Sequence, residues 1–384
     1  MSEQKRIYLD NAATTPIDPE VIEAMLPLMK EHFGNPSSTH AHGRVVRTHI
    51  EESRKTVAKL LGCTPGEIFF TSGGTEADNM AIRKSVECLG VKHIITSPIE
   101  HHAVLHTIEE LHHSGKAAMH LVKLTDKGYV DMNDLELLLQ QNPHALVSLM
   151  HANNEIGNMI DIDVVGELCK KYNAIFHSDT VQTIGHYTFD LGNQHIHFLA
   201  CAAHKFNGPK GVGFIYINAE TKIESFITGG AQERNMRGGT ENVIGIVGLA
   251  KALEVSYRDL DKDRKHIGSL KQYMKEKLLA EIPGVAFNGD PDGNASYTVL
   301  NTSFPPSPIS EMMLFKLDIA GISASGGSAC SSGSNVGSHV LKAISANPER
   351  AAVRFSFGKF NTKEDIDYTI SQLKQMLKID VVTL

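Results

Sequence analysis

The chain has 384 residues, with 37 Lys and Arg against 44 Asp and Glu and a formal net charge of -7. Its basic residues are scattered rather than gathered into a stripe with aromatics, which argues against nucleic acid or an anionic membrane as partner. No stretch approaches the ~20 apolar residues that span a bilayer, and the opening MSEQKRIYLDN lacks an apolar run, so a cytoplasmic protein is expected.

That length exceeds one ordinary domain and predicts a large and a small domain sharing a cleft. After IYLDNAATTP, apolar residues at helical spacing predict a helix over about 19–33, and the Gly- and Ser-rich GNPSSTHAHGR predicts a loop before a long helix ending near Leu61. Residues 67–71 read as a strand. Ser72-Gly73-Gly74-Thr75-Glu76 then opens a helix whose free N–H groups suit an anion, although a plain cap by Ser72 or Thr75 reads equally well. The next strand, 93–97, leads to Glu100-His101-His102, where a histidine is by itself a cap or surface residue. Strands are expected near 117–122 and 145–150, the latter ending in His151-Ala152-Asn153-Asn154-Glu155, whose amides suit a capped turn.

Ala174-Ile175-Phe176 is an apolar run that stops at His177-Ser178-Asp179, and a second run, 196–203, ends at His204-Lys205 before Gly208-Pro209-Lys210-Gly211. Buried parallel strands deliver polar side chains at their carboxyl ends in this way, and ligands bind there. A lysine just past one strand can form a Schiff base, and an aspartate ending its neighbour can hold a pyridine nitrogen protonated; a plain salt bridge uses the same residues. A strand over 211–217 follows. Seven apolar runs alternating with helical patterns predict a mostly parallel seven-stranded α/β sheet. Residues 229–242, GGAQERNMRGGTEN, read as a long polar loop without a core face. A helical region over about 242–280 leads to VAFNG, YTVLNTSF, ISAS and AVRFSF, strands of a smaller α+β domain. The division expected is 16–260 for the large domain, and 1–15 with 261–384 for the small one.

Cys63, Cys88, Cys169 and Cys201 sit in patterned segments and read as reduced thiols, whereas Cys330 lies in SASGGSACSSGSNVG, where nothing can pack and a thiol is exposed and reactive. The 20 histidines show no zinc-binding spacing, so no metal is expected. Arg354, between apolar residues on a strand, needs a carboxylate, either from the protein or from a ligand.

Taken together, TSGGTEADN, EHHAV, NNEIG, HSDTVQ, CAAHKFNGPKG, GSACSS and AVRFSFG resemble, in order, the motifs of the cysteine desulfurases, class V aminotransferase-like enzymes, in their long-loop branch. The resemblance covers almost the whole chain. It implies a pyridoxal-phosphate-dependent transferase of fold type I, with Lys205 as the Schiff-base amine, Asp179 on the ring nitrogen, Gln182 on the ring oxygen and His101 stacked on the ring and moving protons. Gly74, Thr75 and His204 would hold the phosphate, with Thr240 from a neighbouring subunit of a homodimer. Asn154 would reach the substrate carboxylate or the cofactor hydroxyl, and Arg354 the substrate carboxylate. Cys330 would take the sulfur of L-cysteine as a persulfide, leaving alanine, and pass it to an acceptor or scaffold protein in iron-sulfur cluster assembly or another sulfur-delivery route.

Two departures from the family pattern stand out: Ala202, where a hydroxyl residue is common, and Thr180-Val181, where small residues are usual. A transaminase or selenocysteine lyase on the same fold, or a non-catalytic assembly partner, are the competing readings. The transaminase needs no loop thiol, and the non-catalytic partner needs none of Lys205, Asp179, His101 and Cys330.

Overall fold

The computed structural model describes residues 6–326 and 337–379. In chain order its elements are β1 (Ile7–Tyr8), α1 (Pro19–Lys30), α2 (Ala41–Leu60), β2 (Ile68–Thr71), α3 (Gly74–Cys88), β3 (His93–Thr96), α4 (His102–His113), β4 (Ala118–Leu121), α5 (Met132–Gln141), β5 (Leu146–Ser148), α6 (Ile162–Lys171), β6 (Ile175–Asp179), β7 (Phe198–Ala202), β8 (Gly213–Ile217) and α7 (Val243–Arg258). There follow α8 (Leu260–Glu281), β9 (Ala286–Phe287), β10 (Val299–Phe304), α9 (Met313–Ile319), β11 (Ile322–Ser323), α10 (His339–Ala343), β12 (Ala351–Ser356) and α11 (Lys363–Leu377).

Strands β2 to β8 form one seven-stranded sheet in the order β2-β8-β7-β6-β5-β3-β4. Strands β3 to β7 run parallel, and β8 is antiparallel to both β7 and β2. Except in the edge strand β4, alternate residues enter different cores: Phe198 and Ala200 pack on one face with α3 and α4, and Leu199 and Cys201 on the other with α2 and α7. Burial on both faces is why these strands read as continuous apolar runs. Local chemistry sets the helix ends. Asp18 accepts from Glu20 N at 2.8 Å with Pro19 as first helical residue of α1, and Asp161 caps α6 from Asp163 and Val164 while Lys170 and Lys171 close it.

A separate core gathers Ile7, Leu9, Ile267, Met274, Leu300, Phe304, Val353, Phe355, Ile366 and Leu373. Here β12-β10-β9 pair antiparallel, and β1 pairs in parallel with β11, so the chain's first described strand packs with its last third.

The strand after Ala174 carries His177, Ser178 and Asp179 at its carboxyl end, as expected, and they stay buried because His177 Nδ1 meets Ser148 Oγ at 2.8 Å and Ser178 Oγ donates to Leu149 O. Other expectations need correcting. The helix expected to reach Phe33 ends at Lys30. The helical region over 242–280 is two helices broken at Asp259, one in each core. Segment 229–242 is not without a core face. Glu233 is buried and takes a bidentate pair of hydrogen bonds from the buried Arg54, at 2.8 and 2.9 Å.

Candidate active site

Strands β6 and β7 are neighbours, so Asp179 at the end of one and Lys205 just past the other meet at the same edge of the sheet. There they line a cavity of about 240 Å³, together with Gly74, Thr75, His101, Asn154, Gln182, His204 and Arg354 from the expected set. Ala12, Asp78, Met150, Val181 and Ala202 complete most of the wall.

Lys205 Nζ donates to Ala12 O at 2.6 Å and Ala13 O at 2.9 Å, so the amine is held by the turn that follows β1. The same turn is fastened to both cores: Thr15 Oγ1 donates to His204 O, Asn11 Nδ2 donates to Ser356 O, and Asp10 pairs with Arg354. The DNAATT run therefore works as a clamp. It could have been suspected from a stretch lacking any helix or strand period, but no role was assigned to it from sequence.

Asp179 is buried and accepts from Val181 N at 2.9 Å. Burial pushes its carboxyl up to about 6, against the lowering effects of that hydrogen bond and of Lys205. A cation brought to this end of the cavity would favour the ionised form. Opposite, α3 begins at Gly73 with no side chain capping it, which leaves N-terminal N–H groups for an anion. Gly74 is constrained there, since a Cβ on it would come 2.5 Å from Val181 Cγ2. His204 closes that side, its Nδ1 3.1 Å from Thr14 Oγ1, and burial followed by the charge of Lys205 pushes its ring down to about 4. Ala202 lines the wall without a donor.

His101 caps α4, its Nδ1 accepting from Ala103 N at 3.1 Å. The cap and the cavity position are thus compatible readings of one residue. An accepting Nδ1 puts the proton of the neutral ring on Nε2. The ring stays neutral, because burial, then Lys205, pushes it down to about 4.

Gln182 spends one amide hydrogen on Ala12 O at 3.0 Å. Arg354 is almost fully buried, donating to Asn154 O and to Asp10 Oδ1, each at 2.8 Å; its Nε has no partner among the described residues. Its resident carboxylate is therefore Asp10, a partner left unnamed by the sequence. Thr240 does not reach this cavity. It is exposed and lines a separate pocket with Phe70, Ser72, Gly211 and Arg237.

Cys330 lies outside the described residues. The segments flanking it are anchored on or next to cavity residues: Ser325 and Arg354 exchange backbone hydrogen bonds, Ser338 Oγ donates to Glu155, which follows Asn154, at 2.5 Å, and His339 Nε2 lies 2.9 Å from the O of Glu100, which precedes His101. Cys63, Cys88, Cys169 and Cys201 are free thiols. Burial pushes Cys63 up to about 12 and raises Cys169 and Cys201 as well, so these three are poor nucleophiles at neutral pH.

Residues 7–369 match the family described as Aminotransferase class-V. The chain belongs to that family. Within it, the chain is 44% identical over 379 residues to cysteine desulfurase IscS of Dictyoglomus turgidum, covering 98% of this chain and 95% of the relative. It is 42% identical over 383 residues to cysteine desulfurase IscS of Methanosarcina thermophila, covering 98% and 93%. Among solved structures, a NifS-like protein superposes with a TM-score of 0.90 at 36% identity, covering 98% of this chain and all of that one. The chain is thus a class V enzyme of the cysteine desulfurase group, and its donor set of an amine, a buried acid and an open helix N-terminus fits pyridoxal phosphate.

Proposed function

We propose that this enzyme converts L-cysteine to L-alanine and takes the sulfur onto Cys330 as a persulfide, for iron-sulfur cluster assembly or another sulfur-delivery route. The observation that carries the reading is the meeting, in one cavity, of Lys205, Asp179, the open end of α3 and Arg354. Pyridoxal phosphate, when bound, supplies a ring that stabilises negative charge at the substrate α-carbon. Asp179 would hold the ring nitrogen, and Gly74, Thr75 and His204 the phosphate. Gln182 would use its second amide hydrogen on the ring oxygen.

Lys205 would link the cofactor covalently and, once displaced by the substrate amine, move the proton at the α-carbon. His101 would stack on the ring, offering a donor at Nε2 because Nδ1 is taken by the cap. Arg354 and Asn154 would receive the substrate carboxylate, the arginine exchanging part of its pairing with Asp10. Cys330 thiolate then attacks the substrate sulfur: the new S–S bond forms as the C–S bond breaks, and the electrons of that bond stay on the carbon skeleton that becomes alanine. Both flanks of its segment end beside Arg354, Glu100 and Glu155, which favours delivery of a thiol here.

Two separate cores support a division into residues 16–260 and 1–15 with 261–384. The position of Thr240 outside its own chain's cavity suits service in the partner's site of a homodimer. Free thiols suit the cytoplasm.

The test is mass spectrometry after mixing the loaded enzyme with L-cysteine, with alanine measured in parallel. One added sulfur on the parent, its absence in Cys330→Ser and loss of alanine in that variant are expected. Undiminished alanine from Cys330→Ser would move the assignment to a lyase that needs no thiol.

A further inference from the structure

Behind the cavity wall lie two buried polar atoms that have only each other. Asp78, on α3, is 1% exposed and lines the cavity; His177, on β6, is fully buried. Asp78 Oδ1 stands 3.3 Å from His177 Nε2, and neither atom has a hydrogen-bond partner elsewhere among the described residues. The other ring nitrogen, Nδ1, lies 2.8 Å from Ser148 Oγ. His177 and Asp179 are two apart on one strand and so project from the same face of the sheet, the face on which α3 packs.

We propose that Asp78 and His177 share a single proton carried by Asp78, and that this neutral pair is a positioning device leaving Asp179 as the charged carboxylate at the inner end of the cavity. Buried orphan atoms this close require a proton between them, since two facing lone pairs would both stay unsatisfied. An ion pair would satisfy them equally, but it would set a second anion beside the buried Asp179. A third buried acid, Glu100, already stands there, accepting from Met150 N at 3.0 Å. The other charged or titratable groups that act on the cluster are Lys205, which favours the ionised Asp179, and His101, held neutral; the Cys201 thiol, on the opposite face of the sheet, is kept protonated by burial and by the Asp179 charge. Burial, followed by the charges of Asp179 and Glu100, raises the Asp78 carboxyl well above the usual range, and burial pushes His177 down to about 3, which agrees with neutrality of both. With the proton on Asp78, the His177 ring accepts at Nε2 and must donate from Nδ1 to Ser148 Oγ.

The consequence for the cofactor rests on the reading of the cavity given above; the proton placement does not. Long-range 1H–15N spectra of cofactor-free, 15N-labelled protein, with the His177 signals identified by their loss in His177→Gln, should show a neutral ring protonated at Nδ1. An imidazolium, or a neutral ring protonated at Nε2, overturns the proposal. Titration of the cofactor-free protein with pyridoxal phosphate supplies the functional arm. Asp78→Ala, which orphans Nε2, should weaken uptake by about tenfold, and Asp78→Asn, whose amide can donate to Nε2, should restore it to within about threefold. Equal losses in both variants would show that the position merely fills space. A parent protein that takes up no pyridoxal phosphate would defeat the cofactor reading, and the spectrum alone would then decide the proton.

Discussion

Gly74 and Val181 form a matched pair. The Val181 methyl occupies the space that a Cβ at position 74 would need, and both residues line the cavity. This gives the valine, one of the two residues departing from the family's small ones, a physical reason: its bulk goes into the notch left by the glycine. Gly74→Ala should therefore overpack the wall, costing about 1–3 kcal/mol of stability and weakening cofactor uptake. Val181→Ala should rescue it, so the double variant regains most of the loss in thermal denaturation and in cofactor titration. Additive losses in the double variant would show that the two side chains do not compete for one space. Ala202 brings no hydroxyl of its own, and the hydroxyl residues that share its surroundings are Thr14, Ser72 and Thr75.

At the scale of elements, segment 229–242 is the clearest case of structure exceeding pattern. Glu233, Arg234 and Asn235 take consecutive left-handed backbone conformations, with φ of 44, 57 and 64°, which side-chain-bearing residues adopt at a cost. The turn is held by Glu233, which receives Arg54 and also the N–H of Phe70 on β2, while Arg237 pairs with Glu76 in the first turn of α3. Removing the acid takes the bidentate partner from a buried guanidinium and leaves it only the half-buried Glu51, 3.4 Å from Nε, so Glu233→Ala should cost about 3 kcal/mol. Urea unfolding measures this, and a loss below about 1 kcal/mol would mean that Arg54 finds water or another acid. Polarity and glycine content make such a segment look like solvated loop, because the partner of Glu233 lies 179 residues away and leaves no periodic trace. The parallel strands were legible for the opposite reason: burial on both faces writes itself into short runs of consecutive apolar residues, most fully in Phe198–Ala202. Lys205, His204 and Asp179 were legible as the polar stops of those strands. Asp78 was not, being one polar residue in an amphipathic helix whose buried face becomes visible only once α3 packs on the sheet.

Across the whole molecule, the same burial that forms the site sets how stability responds to pH. Burial pushes His101, His151, His197 and His204 down to about 4 and His177 to about 3, whereas the unfolded chain titrates them near 6.5. Between pH 6.5 and 4 the unfolded state therefore binds more protons at these five rings, and the stability they allow above pH 6.5 is lost as pH falls. Asp179, pushed up to about 6, and Asp78 and Glu100, raised well above the usual range, act with the opposite sign, because above about pH 4 the folded state holds protons that the unfolded chain releases. His102, His120, His186 and His195 are lowered as well, and Glu155, Glu241 and Asp263 are raised, so nine rings stand against six carboxyls and the histidines stay ahead. The cofactor-free protein should melt at a lower temperature at pH 5 than at pH 7, as measured by calorimetry at constant ionic strength. Bound cofactor adds a cation beside Asp179 and draws it into the ionised form, cancelling one opposing carboxyl, so the loaded enzyme should show a steeper loss between pH 6 and 5 than the cofactor-free protein. An equal or shallower loss on loading would mean that Asp179, ionised near pH 7, also stays ionised between pH 6 and 5 without the cofactor.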